Sequence, residues 1–392
     1  MKNLNRLSLI ALATACAFPA LAQDAAPAPR VFTLRAAAGV EHDDNVLRQS
    51  TGEISDNVGS LSVGAHAEKT IGLQRLRGDI EATTYRYQDQ TSLNYSTINY
   101  SAAWDWSLTP HFHGVLSADR RQAREVSTDA VTFGNRIGRR TEKAEVLEGT
   151  YDVGARLRAL AGVTHTSSES TEPRSWDASP SVRSARVGVG YETPKGTLLT
   201  LRARRGDGEY KDPTPGAAAG SFKENELELA LKWPVTAKTA VEARVAHLRR
   251  EHDIAPQLDF SGMVGGASVS WEVTAKTRFV AGYQHDLVAT GLLTGGHVET
   301  DRIFFTPVWQ FDPKFAATFR YDRSERRWRD VPVASPDQGR GEKVEYAQVG
   351  LDWTPRTALT VSTTLRNEKL ASNLPGASYK ATVFGVAAKA TF

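Results

Sequence analysis

A strict two-residue alternation of apolar and polar side chains restricts this chain more than any other feature. Ile98, Tyr100, Ala102, Trp104, Trp106 and Leu108 interleave with Asn99, Ser101, Ala103, Asp105 and Ser107, which gives an extended strand one apolar face. Leu227, Leu229, Leu231 and Trp233 do the same against Glu226, Glu228, Ala230 and Lys232, and Phe315, Ala317, Phe319 and Tyr321 against Thr318, Arg320 and Asp322. Alternation fits a soluble sandwich as well as a membrane barrel. The turns separate the two.

One kind of short turn repeats with an aromatic residue just upstream: WSLTPH at Trp106, YETPK at Tyr191, WPVTAK at Trp233, WEVTAK at Trp271, WQFDPK at Trp309 and WTPR at Trp353. From Thr193 the turn residues Thr236, Thr274, Asp312 and Thr354 follow at intervals of 43, 38, 38 and 42, and the interval of 84 from Thr109 to Thr193 is twice 42. YDVGAR at Tyr151 fills that gap, and KTIG at Lys69 stands one interval earlier. Counting from Val31 to Phe392 gives nine hairpins, hence eighteen strands, with sixteen as the alternative count. Strands of roughly 9 to 11 residues cross a bilayer at a tilt of about 45°. The opposite connections are long and polar, such as HDDNVLRQSTGEISDN from His42 and EVSTDAVTFGNRIGRR from Glu125. Short turns at one end and long loops at the other predict an all-β, transmembrane, antiparallel up-and-down barrel over 31–392, with both termini in the periplasm of a Gram-negative cell. Trp106, Tyr191, Trp233, Trp271, Trp309 and Trp353 are then an interfacial aromatic girdle.

The first 23 residues, MKNLNRLSLIALATACAFPALAQ, place Lys2 and Arg6 before an apolar run and end on a small-x-small site at Ala20–Ala22. This reads as a signal peptide over 1–22, followed by a short lead-in over 23–30. The only cysteine, Cys16, lies inside it, so the remainder has no thiolate nucleophile and no cysteine metal site. Removal of Lys2 and Arg6 takes the basic count from 48 to 46 against 45 acidic residues. A near-neutral, exported chain does not read as a nucleic-acid binder.

No catalytic constellation or cofactor site stands out, and the chain reads as a non-enzyme. His111 and His113 lack a third ligand. Asp43, Asp44 and Asn45 could hold calcium, but the spacing favours a turn whose side chains bond their own backbone. Arginines crowd the long-loop ends; Arg121, Arg140, Arg204, Arg250 and Arg327 are candidates for a basic mouth, with contact to lipopolysaccharide phosphates as the equal alternative. The chain ends in an alternating strand closed by Phe392, which resembles the C-terminal signal read by the outer-membrane assembly machinery.

The segment AGVEHDDNVLR, with Asp43, Asp44, Asn45 and Arg48, resembles a signature of the β-barrel porins found with exopolysaccharide-biosynthesis operons, the EpsL type. His42 and Glu41 stand where that pattern has Tyr. The resemblance implies an outer-membrane barrel for polysaccharide export or secretion, partnered by the polymer, periplasmic export proteins, outer-membrane lipids and the assembly machinery. A general or solute-specific diffusion porin is the second expectation, and an outer-membrane hydrolase or structural anchor the third. A long, inward-folded loop carrying opposed acidic and basic residues would favour the porin.

Overall fold

The computed structural model describes residues 31–129, 134–172, 179–210, 220–290, 295–335 and 337–392. The expected signal peptide and lead-in, residues 1–30, lie outside them. Eighteen strands follow one another: β1 (Phe32–Asp43), β2 (Asp56–Ile71), β3 (Gln74–Tyr87), β4 (Tyr95–Thr109), β5 (Phe112–Asp129), β6 (Gly134–Val153), β7 (Leu157–Ser170), β8 (Pro180–Glu192) and β9 (Leu198–Tyr210). The second half comprises β10 (Ser221–Thr236), β11 (Thr239–His252), β12 (Phe260–Thr274), β13 (Thr277–Ala289), β14 (His297–Asp312), β15 (Phe315–Arg329), β16 (Gly341–Arg356), β17 (Leu359–Ser372) and β18 (Tyr379–Thr391). Every strand pairs antiparallel with its neighbours in sequence, and β1 pairs with β18, so the sheet closes with no free edge. Closure satisfies the backbone groups that an edge would leave bare in lipid. The larger of the two expected strand counts is the observed one.

The alternation sorts cleanly by face. On β16, Val349, Leu351 and Trp353 point outward and are 43–55% exposed, while Glu342, Val344 and Tyr346 point inward and are buried. The recurrence of Thr or Asp in the short turns has a local reason. Thr236 Oγ1 accepts the Lys238 N–H at 3.1 Å, Thr274 Oγ1 that of Lys276 at 3.1 Å, and Asp312 Oδ1 that of Lys314 at 2.9 Å. Thr109 Oγ1 accepts the Phe112 N–H at 3.0 Å in the same way. Each of these four turns is preceded by a register shift, as between Pro234 and Thr236 or Glu272 and Thr274, the bulge expected at a barrel rim. The two less regular members of the beat turn differently: Gly72 and Gly154 take φ of +59° and +68°, backbone that glycine adopts without strain.

The six residues expected in the girdle all lie near this short-turn end. Tyr191, Trp233, Trp271, Trp309 and Trp353 are exposed on the outer face. Trp106 lies across Gly114 and Gly149, in edge contact with Phe112 at 5.1 Å. A Cβ on Gly114 would fall 2.4 Å from the Trp106 ring. Phe392 closes the seam: its N–H donates to Leu34 O at 2.9 Å, and Leu34 N–H donates to Phe392 O at 3.2 Å.

Candidate functional site in the lumen

The hairpin of β5 and β6 leaves the wall of the barrel. Pairing of β4 with β5 stops at Tyr100–Arg120, whereas β5 and β6 stay paired to Asp129–Gly134. The stretch from Glu125, read from sequence as a long loop, is therefore two strands that continue past their neighbour. Once β5 is released from β4 and β6 from β7, whose pairing ends at Arg140–Ser170, the two strands fold against the inner wall. Arg124 lies 3.6 Å from the Asp43 carboxylate, donates to the Val46 carbonyl, and sits over the Tyr87 ring at 6.0 Å. Val126 packs on the buried cluster of Val344, Leu370, Leu374, Ala377 and Tyr379. The Asn135 amide donates to the carbonyls of Arg48 at 2.6 Å and Ala377 at 2.9 Å. These partners come from β1, from β3, from β16–β18 and from the connections after β1 and β17, so the hairpin crosses the mouth from within.

The connection after β1 forms the floor of this contact. Asp43 receives two bonds from one Arg48 nitrogen, at 2.7 and 2.9 Å, and Arg48 Nε donates to Glu368 at 3.0 Å. Asn45 N–H donates to Asp43 Oδ1 at 3.0 Å, Asn45 Nδ2 donates to Gln49 O and Lys380 O, and Asp44 Oδ1 accepts the Thr382 N–H at 2.7 Å. Asp43, Asp44, Asn45 and Arg48 thus clasp the loop to β17 and β18. The Asp43 carboxylate is engaged by guanidinium groups, and Asn45 bonds it as in an Asx turn. Burial by itself lowers the Arg48 pKa, but the Glu368 and Asp43 carboxylates outweigh it and hold the group above its ordinary value.

The hairpin turns a charged face to the lumen. Arg140 Nε donates to Glu125 at 2.9 Å, and its Nη1 donates to Ser168 at 2.7 Å. Arg121 stands beside Glu142 in the register and is exposed to the lumen. Across the barrel, Arg204 bonds Glu224 at 2.9 Å and Glu226 at 2.7 Å, and Arg250 Nε donates to Glu224 at 3.0 Å. The ladder continues from Arg202 to Glu228 at 3.2 Å, then Arg244 at 3.3 Å and Asp286 at 3.6 Å. Of the expected basic mouth, Arg121, Arg140, Arg204 and Arg250 share the lumen face. Arg327 does not: it sits beside Glu299, on the outward register of Ile303 and Phe305, and pairs with Glu299 and Asp301. Its neighbour Arg326 takes the inward place.

The two histidines considered for a metal separate. His111 lies in the turn before β5, and His113 Nε2 approaches Asp152 at 3.1 Å. Among the described residues no group of three or more His, Asp or Glu is placed to hold a metal. The sequence reading missed Val126, Asn135, Glu224 and Glu368. A trace of the hairpin was present: Arg124 and Val126 alternate with Ala123, Glu125 and Ser127 in step with the strand before them.

No protein-family model matches the chain, and no curated protein matches its sequence. Solved structures share its barrel. OpdK of Pseudomonas aeruginosa with vanillate has a TM-score of 0.51 and 10% identity, covering 92% of this chain and 99% of that one. The outer membrane protein OpdK of the same organism gives 0.50 and 12%, with coverage of 92% and 99%. OccK2 (OpdF) of that organism, in complex with glucuronate, gives 0.50 and 13%, with coverage of 92% and 96%. At this identity the likeness shows the fold: a closed eighteen-stranded porin barrel. The expectation of exopolysaccharide export is corrected here. The structures that share the barrel are diffusion porins, and nothing ties the chain to the exopolysaccharide family that the Asp43–Arg48 segment resembles.

Proposed function

We propose that the chain is an outer-membrane diffusion porin for a restricted class of small solutes, its short turns and both termini in the periplasm and its long loops outside. The observation that carries this reading is the β5–β6 hairpin, which leaves the wall at Arg120, crosses the mouth and presents Glu125 and Arg140 toward a lumen whose far wall is lined by the Arg204–Glu224–Arg250 ladder. Barrels of 16 to 18 strands enclose an aqueous channel unless something fills it. An inward segment bearing both signs of charge narrows such a channel while keeping it wet, which restricts passage by size and by charge. Passive diffusion needs no catalytic group. The vanillate and glucuronate bound by the similar barrels are small carboxylates, so solutes of that size are the first to try.

The test is conductance in planar bilayers. Replacing residues 124–139 by Asn-Gly joins Ala123 to Arg140, which already face each other in the register, through a two-residue hairpin turn. The shortened protein is expected to conduct more per channel than the full chain and to discriminate less among solutes. Equal conductance and selectivity would remove the hairpin as the restricting element. Absence of conductance in both forms would remove the channel.

A further inference from the structure

The outer face of β15–β18 carries a cationic row at a fixed height above the tryptophan ring. Trp353 lies beside Phe315 on one side and Val361 on the other, and Val361 lies beside Ala388. Eight residues up each strand, the register brings Arg323, Glu345, Lys369 and Lys380 into one line. Between the two levels the outward face holds Phe319, Val349, Leu351, Leu365, Phe384 and Val386, all exposed. Nine residues, counted inclusively, is the span that crosses a hydrocarbon core at a tilt of about 45°. The row therefore sits where the apolar band meets the headgroups at the long-loop end.

The charges there do not balance. Lys343, one outward step beyond Glu345, donates to it at 2.9 Å, and Lys369 approaches the same carboxylate at 3.9 Å. Arg323 pairs with Glu325. Lys380 is exposed, with no acidic partner among the described residues. Three of these cations thus share two carboxylates, and Lys380 adds a fourth positive charge. On β14 and β15 the count is even, Arg327 and Arg329 facing Glu299 and Asp301. Exposed pairs of this kind hold weakly and exchange readily for a stronger anion. An occupant of this surface must be apolar below the row and anionic at it, which fits a phosphorylated lipid and does not fit a soluble anion or a peptide.

We propose that Arg323, Lys343, Lys369 and Lys380 form a binding site for the phosphates of an outer-leaflet glycolipid of the lipopolysaccharide kind, with its acyl chains along Val349, Leu365 and Phe384. The inference rests on the porin reading, which makes the long-loop end the outer surface. The Arg323 guanidinium and the three ammonium groups donate to the phosphate oxygens.

The test titrates the purified full barrel in detergent with diphosphorylated lipid A, fully dephosphorylated lipid A and inorganic phosphate. Lys343→Gln/Lys369→Gln/Lys380→Gln is expected to weaken diphosphorylated lipid A roughly tenfold or more, since each cation near an anionic lipid surface contributes severalfold. Lys238→Gln/Lys276→Gln/Lys314→Gln, at the short turns, is expected to leave binding unchanged. Dephosphorylated lipid should bind all forms weakly, and inorganic phosphate should show no saturable binding. Lys380→Gln alone, with heat-modifiable mobility as the check on folding, gives the same direction at smaller size. Equal binding by the triple β16–β18 variant, equal binding of dephosphorylated lipid, or phosphate binding as tight as the lipid would each overturn the site. Conductance of the same preparations separates the two readings: a conducting barrel indifferent to lipid phosphate defeats only this inference.

Discussion

Arg48 holds two carboxylates from opposite ends of the chain. Its side chain is 2% exposed and bonds Asp43, five residues away, and Glu368, 320 residues away. Removing one partner of such a buried set leaves charge without compensation, at a cost of about 3–5 kcal/mol. Arg48→Leu is therefore expected to loosen the clasp by that order. Limited proteolysis in the connection after β1 should show faster cleavage, and the β5–β6 hairpin, which Asn135 ties to the Arg48 carbonyl, should lose its seat. Cleavage at the wild-type rate would show that the clasp is held by Asn45 and Asp44 alone. The turn itself is legible in sequence, because Asp43, Asp44 and Asn45 read as residues that bond their own backbone; the part played by Arg48 is not. Nor is its distant partner, because Glu368 reaches Arg48 only through the register of β17 against β18 and of β18 against β1. Neighbouring arginines hide their faces for a related reason. In Arg326–Arg327 and in Arg249–Arg250 both parities carry the same side chain, so alternation gives no direction; the flanking pattern of Phe319, Tyr321 and Arg323 sends Arg327 outward and Arg326 in.

Four of the six aromatic-preceded turns, those at Thr109, Thr236, Thr274 and Asp312, were legible in sequence because their chemistry is local. A hydroxyl or carboxylate two or three positions before the bonded N–H replaces the backbone acceptor that a tight turn lacks, so Thr or Asp recurs at Thr109, Thr236, Thr274 and Asp312. Thr236→Val keeps the shape and removes the acceptor. It is expected to cost about 0.5–1.5 kcal/mol, read as a lower urea midpoint for folding into lipid vesicles, and Thr274→Val should match it. A Thr→Ser change at either site should retain the wild-type midpoint. Unchanged midpoints in the valine variants would mean that the bulge alone shapes these turns. The β5–β6 extension was not legible in the same way. Beyond Arg120 on β5 and Arg140 on β6 the strands leave the lipid, the face that points outward lower down packs on protein instead of hydrocarbon, and Arg124 and Arg139 stand on it where a membrane strand carries apolar side chains. A segment without a lipid face reads as a loop even where its backbone stays paired.

At the scale of the molecule, the mean hydropathy of −0.38 is the sum of two opposite faces: an outer belt of Val, Leu, Phe and Trp, and an inner wall of paired Arg, Glu and Asp. Closing that sheet depends on its least extensive contact. The β1–β18 seam runs from Arg35–Thr391 to Asp43–Val383, half the length of the β5–β6 ladder from Phe112–Tyr151 to Asp129–Gly134. Local opening follows the weakest cooperative unit, so amides facing the seam, such as those of β1 near Gly39 and of β18 near Val386, should exchange with solvent before those of β5 and β6 near Ala118 and Leu147. Phe392 lengthens the seam by the reciprocal pair with Leu34. Its deletion leaves the Leu34 N–H and C=O without these partners and should speed exchange along β1 and β18 while leaving β5 and β6 as they were. The same deletion separates two roles for the terminal aromatic. Refolding into vesicles needs no assembly machinery, so a defect confined to cells marks Phe392 as a recognition signal, whereas faster seam exchange in the refolded barrel marks it as part of the closure. Uniform protection across all eighteen strands, with or without Phe392, would show instead that the barrel opens as one unit and that the seam has no weakness of its own.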